Sequence, residues 1–143
     1  MTANAFEKTR RDHSDETLED VTELIYRLSG ANTDATAEEV QVRTAKLVEA
    51  LGVSQPTVTK MLNRLEREGV VHIHRRQFVH LTDLGLEIAR KSAERHAMVV
   101  AFLRSLGVSE VVAELDAEGI EHHLSPETID CIRGYLAVSG SRE

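Results

Sequence analysis

Apolar positions recur at helical spacing along most of the chain and switch to period two in one short stretch. Leu18, Val21, Ile25 and Leu28 fall on one helix face, which Gly30 closes and which should open near Ser14 or Asp15. Residues 1–14 are charged and aperiodic and read as a mobile arm. Residues 30–37 read as a loop. Thr36 with Glu39 matches a capping box, which predicts a second helix from there through Leu47, Val48 and Leu51 to Gly52. Ser54 can cap a third helix with Pro56 in its first turn; that helix buries Val58, Met61, Leu62 and Leu65 and ends at Gly69. Val70, Val71, Ile73, Phe78, Val79 and Leu81 then surround Arg75 and Arg76 as a two-stranded hairpin. His72, His74 and His80 share one parity there and read as a polar strand face. A long helix follows from Thr82 or Asp83 to Leu106, then one from Ser109 to His123, and a last one opened by Ser125-Pro126-Glu127 through Ile129, Ile132 and Leu136.

The segment Thr44 to Arg67 places two helices on either side of a tight turn at Gly52. That is the plan of a helix-turn-helix, whose second helix enters the major groove with its N-terminal residues at the base edges. Opposite its apolar face this helix carries Gln55, Thr57, Thr59, Lys60, Asn63 and Arg64. Gln55 and the threonines suit base edges; Lys60 and Arg64 suit phosphates. Ser54 and Pro56 shape the start of the helix and join the candidate interface. Arg75 and Arg76 at the hairpin tip should meet the backbone or the adjacent minor groove, so the hairpin reads as a wing. The predicted fold class is mainly α with a small β-hairpin wing: a winged helix-turn-helix over 15–85, then a helical metal-binding and dimerisation domain over 86–143.

A net charge of −7 looks wrong for a nucleic-acid binder, which must displace phosphate counterions. The charge is unevenly spread, however. Lys60, Arg64, Arg67, Arg75 and Arg76 oppose only Glu66 and Glu68 between Lys60 and Arg76, whereas eight acids oppose Arg133 and Arg142 from Ser105 onward. One segment suits a polyanion and the other a cation. A single cysteine, Cys131, excludes an intrachain disulfide. With no apolar run near the roughly 18 residues that span a bilayer and no apolar signal core, a cytoplasmic location without a membrane partner is expected.

The cation side centres on Asp116 to His123, DAEGIEHH. On a helix, Glu118, Glu121 and His122 stand at i, i+3 and i+4 and share a face. Two carboxylates and an imidazole converging there repel one another unless a cation binds. In the first helix Asp20 and Glu23 lie three residues apart, off the apolar face. His96 follows Arg95 just before the apolar stretch Met98 to Leu103.

Together these pieces resemble the diphtheria toxin repressor family, in its short manganese-responsive, MntR-type branch. The matching segments are EDVTELIY (Glu19 to Tyr26), GVSQPTVTKML (Gly52 to Leu62), the Arg95-His96 pair and DAEGIEHHLS (Asp116 to Ser125), in the family's order, within residues 15 to 138. The resemblance implies metal ligands at Asp20, Glu23, His96, Glu118, Glu121 and His122, a binuclear site, a homodimer, and a palindromic double-stranded operator. It implies a non-enzymatic repressor acting on manganese homeostasis genes such as those for uptake. Four carboxylates and two imidazoles without sulfur suit Mn²⁺, and two divalent ions balance four carboxylates. Fe²⁺, Zn²⁺, Co²⁺ or Cd²⁺ are conceivable substitutes. The iron branch carries Met and Cys at the places of Asp20 and Glu118. The loop Gly30 to Gln41 is longer than usual for the branch, and the chain, ending at Glu143, leaves no room for the SH3-like domain of the longer iron regulators.

Metal binding is expected to pin the two halves together and set the spacing of two recognition helices, because dimers read half-sites about one helical turn apart. Leu115, Ile120, Leu124, Ile129, Ile132 and Leu136 are the candidate dimer residues, in competition with the protomer core. A winged-helix regulator answering to iron, zinc or a small organic ligand is the main alternative; the aromatic content of 3% argues against a large apolar pocket. A di-metal carboxylate enzyme would need two Glu-x-x-His motifs, and none is present. The basic helix face argues against a protein-interaction module with no DNA role.

Overall fold

In the computed structural model, residues 17–140 are described, and they group into two compact units that meet within one helix at Arg90 and Lys91. The helix start expected near Ser14 and the arm over residues 1–14 lie outside the described residues.

The first unit, Thr17–Arg90, contains helix α1 (17–29), a short 3-10 turn (Ala37–Glu39), strand β1 (Gln41–Arg43), α2 (Thr44–Leu51), α3 (Gln55–Arg67), and the strands β2 (Val71–His74) and β3 (Phe78–Leu81). The strands form an antiparallel sheet in the order β1-β3-β2. One hydrophobic core serves all of these elements. Val21 and Ile25 of α1, Leu47 of α2, Val58, Leu62 and Leu65 of α3, and Val71, Val79 and Leu81 of the sheet are all buried in it. Burial of that kind contributes about 1.5–3 kcal/mol per large apolar side chain.

The sheet has one more strand than the hairpin expected from sequence, and the second helix starts eight residues later than its capping box suggested. The box itself forms: the Glu39 carboxylate accepts from the Thr36 N–H at 3.0 Å. It closes a single 3-10 turn and nothing longer. Val40 and Val42 are buried while Gln41 and Arg43 are exposed. That alternation of β-branched residues belongs on a sheet. Val42 accordingly pairs with Val79, and the Leu81 N–H donates to the Val40 carbonyl at 3.1 Å.

The other predicted boundaries hold closely. Gly52 ends α2 in the left-handed region, and the Ser54 hydroxyl accepts from the Thr57 N–H to cap α3. The helix α4 (Asp83–Ser105) begins where the Thr82 hydroxyl donates to the Gly69 carbonyl and accepts from the Gly85 N–H. The imidazoles of His72 and His80 stand opposite each other, with His74 stacked beside His80, so the three histidines do share one strand face.

The second unit holds the rest of α4, then α5 (Glu110–Ile120), a 3-10 turn (Glu121–His123) and α6 (Pro126–Gly140). The helix expected over Ser109 to His123 therefore tightens at its last turn. Ala113 and Ala117 of α5, Val99 of α4, and Ile129 and Ile132 of α6 are buried. Among the described residues no helix is long and apolar enough to cross a membrane.

Gly85 marks a close backbone approach. A Cβ there would lie 2.1 Å from the Val70 carbonyl oxygen, which already accepts from the Thr82 N–H. Gly85→Ala is expected to cost about 1–3 kcal/mol through this overlap, measured as a lower thermal unfolding midpoint; an unchanged midpoint would refute the crowding.

Candidate nucleic-acid interface and metal centre

The exposed side of α3 carries every polar residue that the sequence assigned to it. Ser54, Gln55, Pro56, Thr57, Thr59, Lys60, Asn63 and Arg64 are all exposed, while Val58, Leu62 and Leu65 face the core. Gln55, Pro56, Thr59, Lys60 and Asn63 line one shallow groove together with Arg67. Sequence reasoning left Arg67 out of the interface. Its spacing, four residues after Asn63 and seven after Lys60, was the available signal. The Glu66 carboxylate accepts from the Ile73 N–H at 2.9 Å and ties the helix to the wing strand β2.

Arg75 and Arg76 occupy the two central positions of the hairpin turn, with φ of 49° and 59°. The Gln77 N–H closes the turn on the His74 carbonyl at 2.9 Å. Tight hairpin turns with two positive φ values favour Asn and Gly, because a Cβ is crowded there. Two arginines hold this strained position and are both exposed. Strain of this sort persists where the side chains are wanted. The opposite side of the turn is anchored by the Thr44 hydroxyl, which donates to the Arg76 carbonyl at 3.1 Å.

The cation-site residues of the second unit come from α4, α5 and the 3-10 turn. His96 on α4 is the hub. Its Nδ1 lies 3.6 Å from Glu118 Oε1 and 3.5 Å from Glu121 Oε2, and its Nε2 lies 2.7 Å from Glu114 Oε2. The Glu121 carboxylate is fully buried; its Oε1 accepts from the Ser92 hydroxyl at 3.2 Å and lies 3.3 Å from His122 Nε2. The switch from α-helix to 3-10 turn at Glu121 shifts this carboxylate and His122 off the regular helical progression that the sequence implied. His123 is exposed. Burial by itself disfavours the charged His96 imidazole. The hydrogen bond to Glu114 and the charges of Glu118, Glu121 and Glu114 outweigh it, so the pKa is raised above its ordinary value.

His96 Nδ1 is a buried nitrogen with no hydrogen-bond partner, facing two carboxylates. A bare gathering of this kind is costly, and a cation with oxygen and imidazole preferences would resolve it. The donors present therefore fit a hard divalent metal. Glu114 and Ser92 were not among the sequence candidates. Glu114 stands four residues before Glu118, on the same helical face, which is the pattern that could have found it.

Asp20 and Glu23 belong to α1 of the first unit. They bring carboxylate oxygens within 4.8 Å of one another, with Asp20 exposed and Glu23 buried.

Residues 14–79 match the family described as the iron dependent repressor N-terminal DNA binding domain, and residues 82–138 match its metal binding and dimerisation domain. The chain is 40% identical over 137 residues to the transcriptional regulator MntR of Escherichia coli O6:H1, covering 96% of this chain and 84% of that protein. It is 36% identical over 115 residues to the HTH-type transcriptional regulator MntR of Bacillus subtilis strain 168, covering 80% of this chain and 76% of the other. Among solved structures it resembles a manganese-dependent transcriptional repressor in complex with manganese, with a TM-score of 0.69 and 28% identity. The match covers 84% of this chain but 52% of that one, so the chain spans about half the length of that repressor.

Two substitutions separate the contributions of the interface. Lys60→Ala should weaken DNA binding similarly on all sequences and lower the salt slope of log affinity by about one; a sequence-dependent loss would point to base contact instead. Arg76→Gly should raise unfolding stability by about 1 kcal/mol through relief of the positive-φ strain while weakening DNA binding. A thermal melt and a fluorescence-anisotropy titration read the two effects, and a fall in both would refute the strain argument.

Proposed function

The chain belongs to the iron-dependent repressor family, and on that premise we propose that it is a manganese-dependent transcriptional repressor that controls manganese homeostasis genes such as those for uptake. The observation that carries the metal part is the buried, unsatisfied Nδ1 of His96 facing Glu118 and Glu121.

Asp20, Glu23, His96, Glu118, Glu121 and His122 are the residues that would hold the metal. Their donor set is oxygen and imidazole, which suits Mn²⁺; Fe²⁺, Zn²⁺, Co²⁺ and Cd²⁺ would compete by affinity, so geometry and supply must select. Four carboxylates favour a pair of divalent ions per protomer. When bound, the metal supplies the positive charge that offsets these carboxylates. The Ser92 hydroxyl holds the Glu121 carboxylate by a hydrogen bond.

On the DNA side, Gln55, Thr57 and Thr59 present short polar groups to base edges of the major groove. Lys60, Asn63, Arg64 and Arg67 on α3, with Arg75 and Arg76 on the wing, meet the phosphates. Apolar side chains exposed on α5 and α6, including Val111, Leu115, Ile120 and Val138, supply a self-complementary surface for a homodimer. A two-fold dimer reads a palindromic operator, with half-sites one helical turn apart. Coupling between the metal sites and the operator of about 1–3 kcal/mol per linked site suffices for a switch of 5–150-fold.

Fluorescence anisotropy on promoter DNA at fixed salt tests this reading. Mn²⁺ should tighten binding and EDTA should reverse it; equal affinity in both conditions would sink it. Glu118→Cys introduces a thiolate and should move the response towards Fe²⁺ or Zn²⁺ in anaerobic titrations, and an unaltered order of metals would count against the ligand assignment.

A further inference from the structure

We propose that Glu114 is the positioning residue that presents His96 to the metal, a role that rests on the metal-site reading above and reaches beyond the six ligands. Glu114 Oε2 lies 2.7 Å from His96 Nε2, the shortest contact that this imidazole makes. The opposite nitrogen, Nδ1, is buried without a hydrogen-bond partner and faces Glu118 and Glu121 at 3.6 and 3.5 Å. An imidazole ring has two nitrogens with different duties. If Nε2 carries the hydrogen and donates it to Glu114, Nδ1 must carry the lone pair, and that lone pair points at the carboxylates where a cation would sit. A carboxylate behind a metal-binding imidazole also raises its basicity and fixes the ring plane.

Glu114 cannot exchange places with the ligands. It approaches His96 from the far nitrogen, on the side away from Glu118 and Glu121. Its side chain is 54% exposed, against 15% for His96 and none for Glu121. Substituting it therefore leaves the core of the unit intact. The backbone explains why it is in reach: Glu114 and Glu118 are one helical turn apart on α5, so both flank the same residue of α4. Ala113 and Ala117, next to these two glutamates on α5, are fully buried.

The test compares Glu114→Ala, Glu114→Gln and Glu110→Ala, the last removing a carboxylate from the same helix outside the cluster. Mn²⁺ affinity is measured by calorimetry on the full chain. The imidazole tautomer is read from ¹⁵N–¹H long-range correlations of the metal-free protein at a pH that keeps His96 neutral, because a metal on Nδ1 would itself place the proton on Nε2. Glu114→Ala should weaken Mn²⁺ binding about 10–100-fold and should release the fixed Nε2–H signature of His96. Glu114→Gln keeps an acceptor and should retain the signature with a smaller loss. Equal losses in Glu110→Ala would reduce the effect to bulk charge, and unchanged affinity or an unchanged tautomer in Glu114→Ala would overturn the proposal. His96→Ala separates the layers. If it binds Mn²⁺ as the parent does, the site reading itself fails; if it loses binding while Glu114→Ala does not, only the role of Glu114 falls.

Discussion

A carboxylate with no exposed surface must be compensated, and in the second unit that demand falls on Glu121. Ionised and isolated in a protein interior it would cost several kcal/mol. Ser92 donates to it, and two imidazoles, His96 and His122, stand at 3.5 and 3.3 Å. Glu118 and Glu114 approach the same histidine, so three carboxylates gather around one imidazole. Bringing like charges together in this way is unfavourable. A divalent cation that accepts oxygen and imidazole would relieve it, which is the physical basis for the metal site proposed there.

The same electrostatic logic, with the sign reversed, governs the other half. Overall the protein is acidic, yet the face of α3 and the wing tip concentrate its cations. The local structure is arranged around that display. Ser54 and Pro56 start the helix so that its first turn projects outward, the Val58–Leu62–Leu65 stripe anchors it, and Glu66 braces it against β2. At the wing the chain accepts unfavourable backbone angles at Arg75 and Arg76 where glycine or asparagine would sit more easily. Keeping two guanidinium groups at the tip is worth more than a relaxed turn only if something anionic meets them.

The residues of the candidate site were legible to different degrees. The helix-turn-helix announces itself through local devices: a glycine turn, a capping serine, a proline in the first turn, and a one-sided apolar stripe. The DAEGIEHH segment announces charge repulsion in the same local way. Glu114 and Arg67 escaped because their importance comes from a partner distant in sequence or from continuation of a face already counted. Strand β1 escaped because three residues leave little periodic signal, and the capping box just before it pointed to a helix.

By itself the sequence determined what is encoded within a few residues: which segments are helical, where Gly52 stops α2, which face of α3 is polar, and which half is acidic. Tertiary structure decided the rest, since the competing choices are nearly equal locally. Whether Thr36 opens a long helix or one 3-10 turn depends on Val40 and Val42 finding β3. Whether Glu121 continues α5 or tightens into a 3-10 turn depends on packing of its carboxylate beside Ser92 and His96. Local propensities differ by only about 1 kcal/mol per residue, so a single long-range pairing or buried contact outweighs them, and no window of sequence contains both partners.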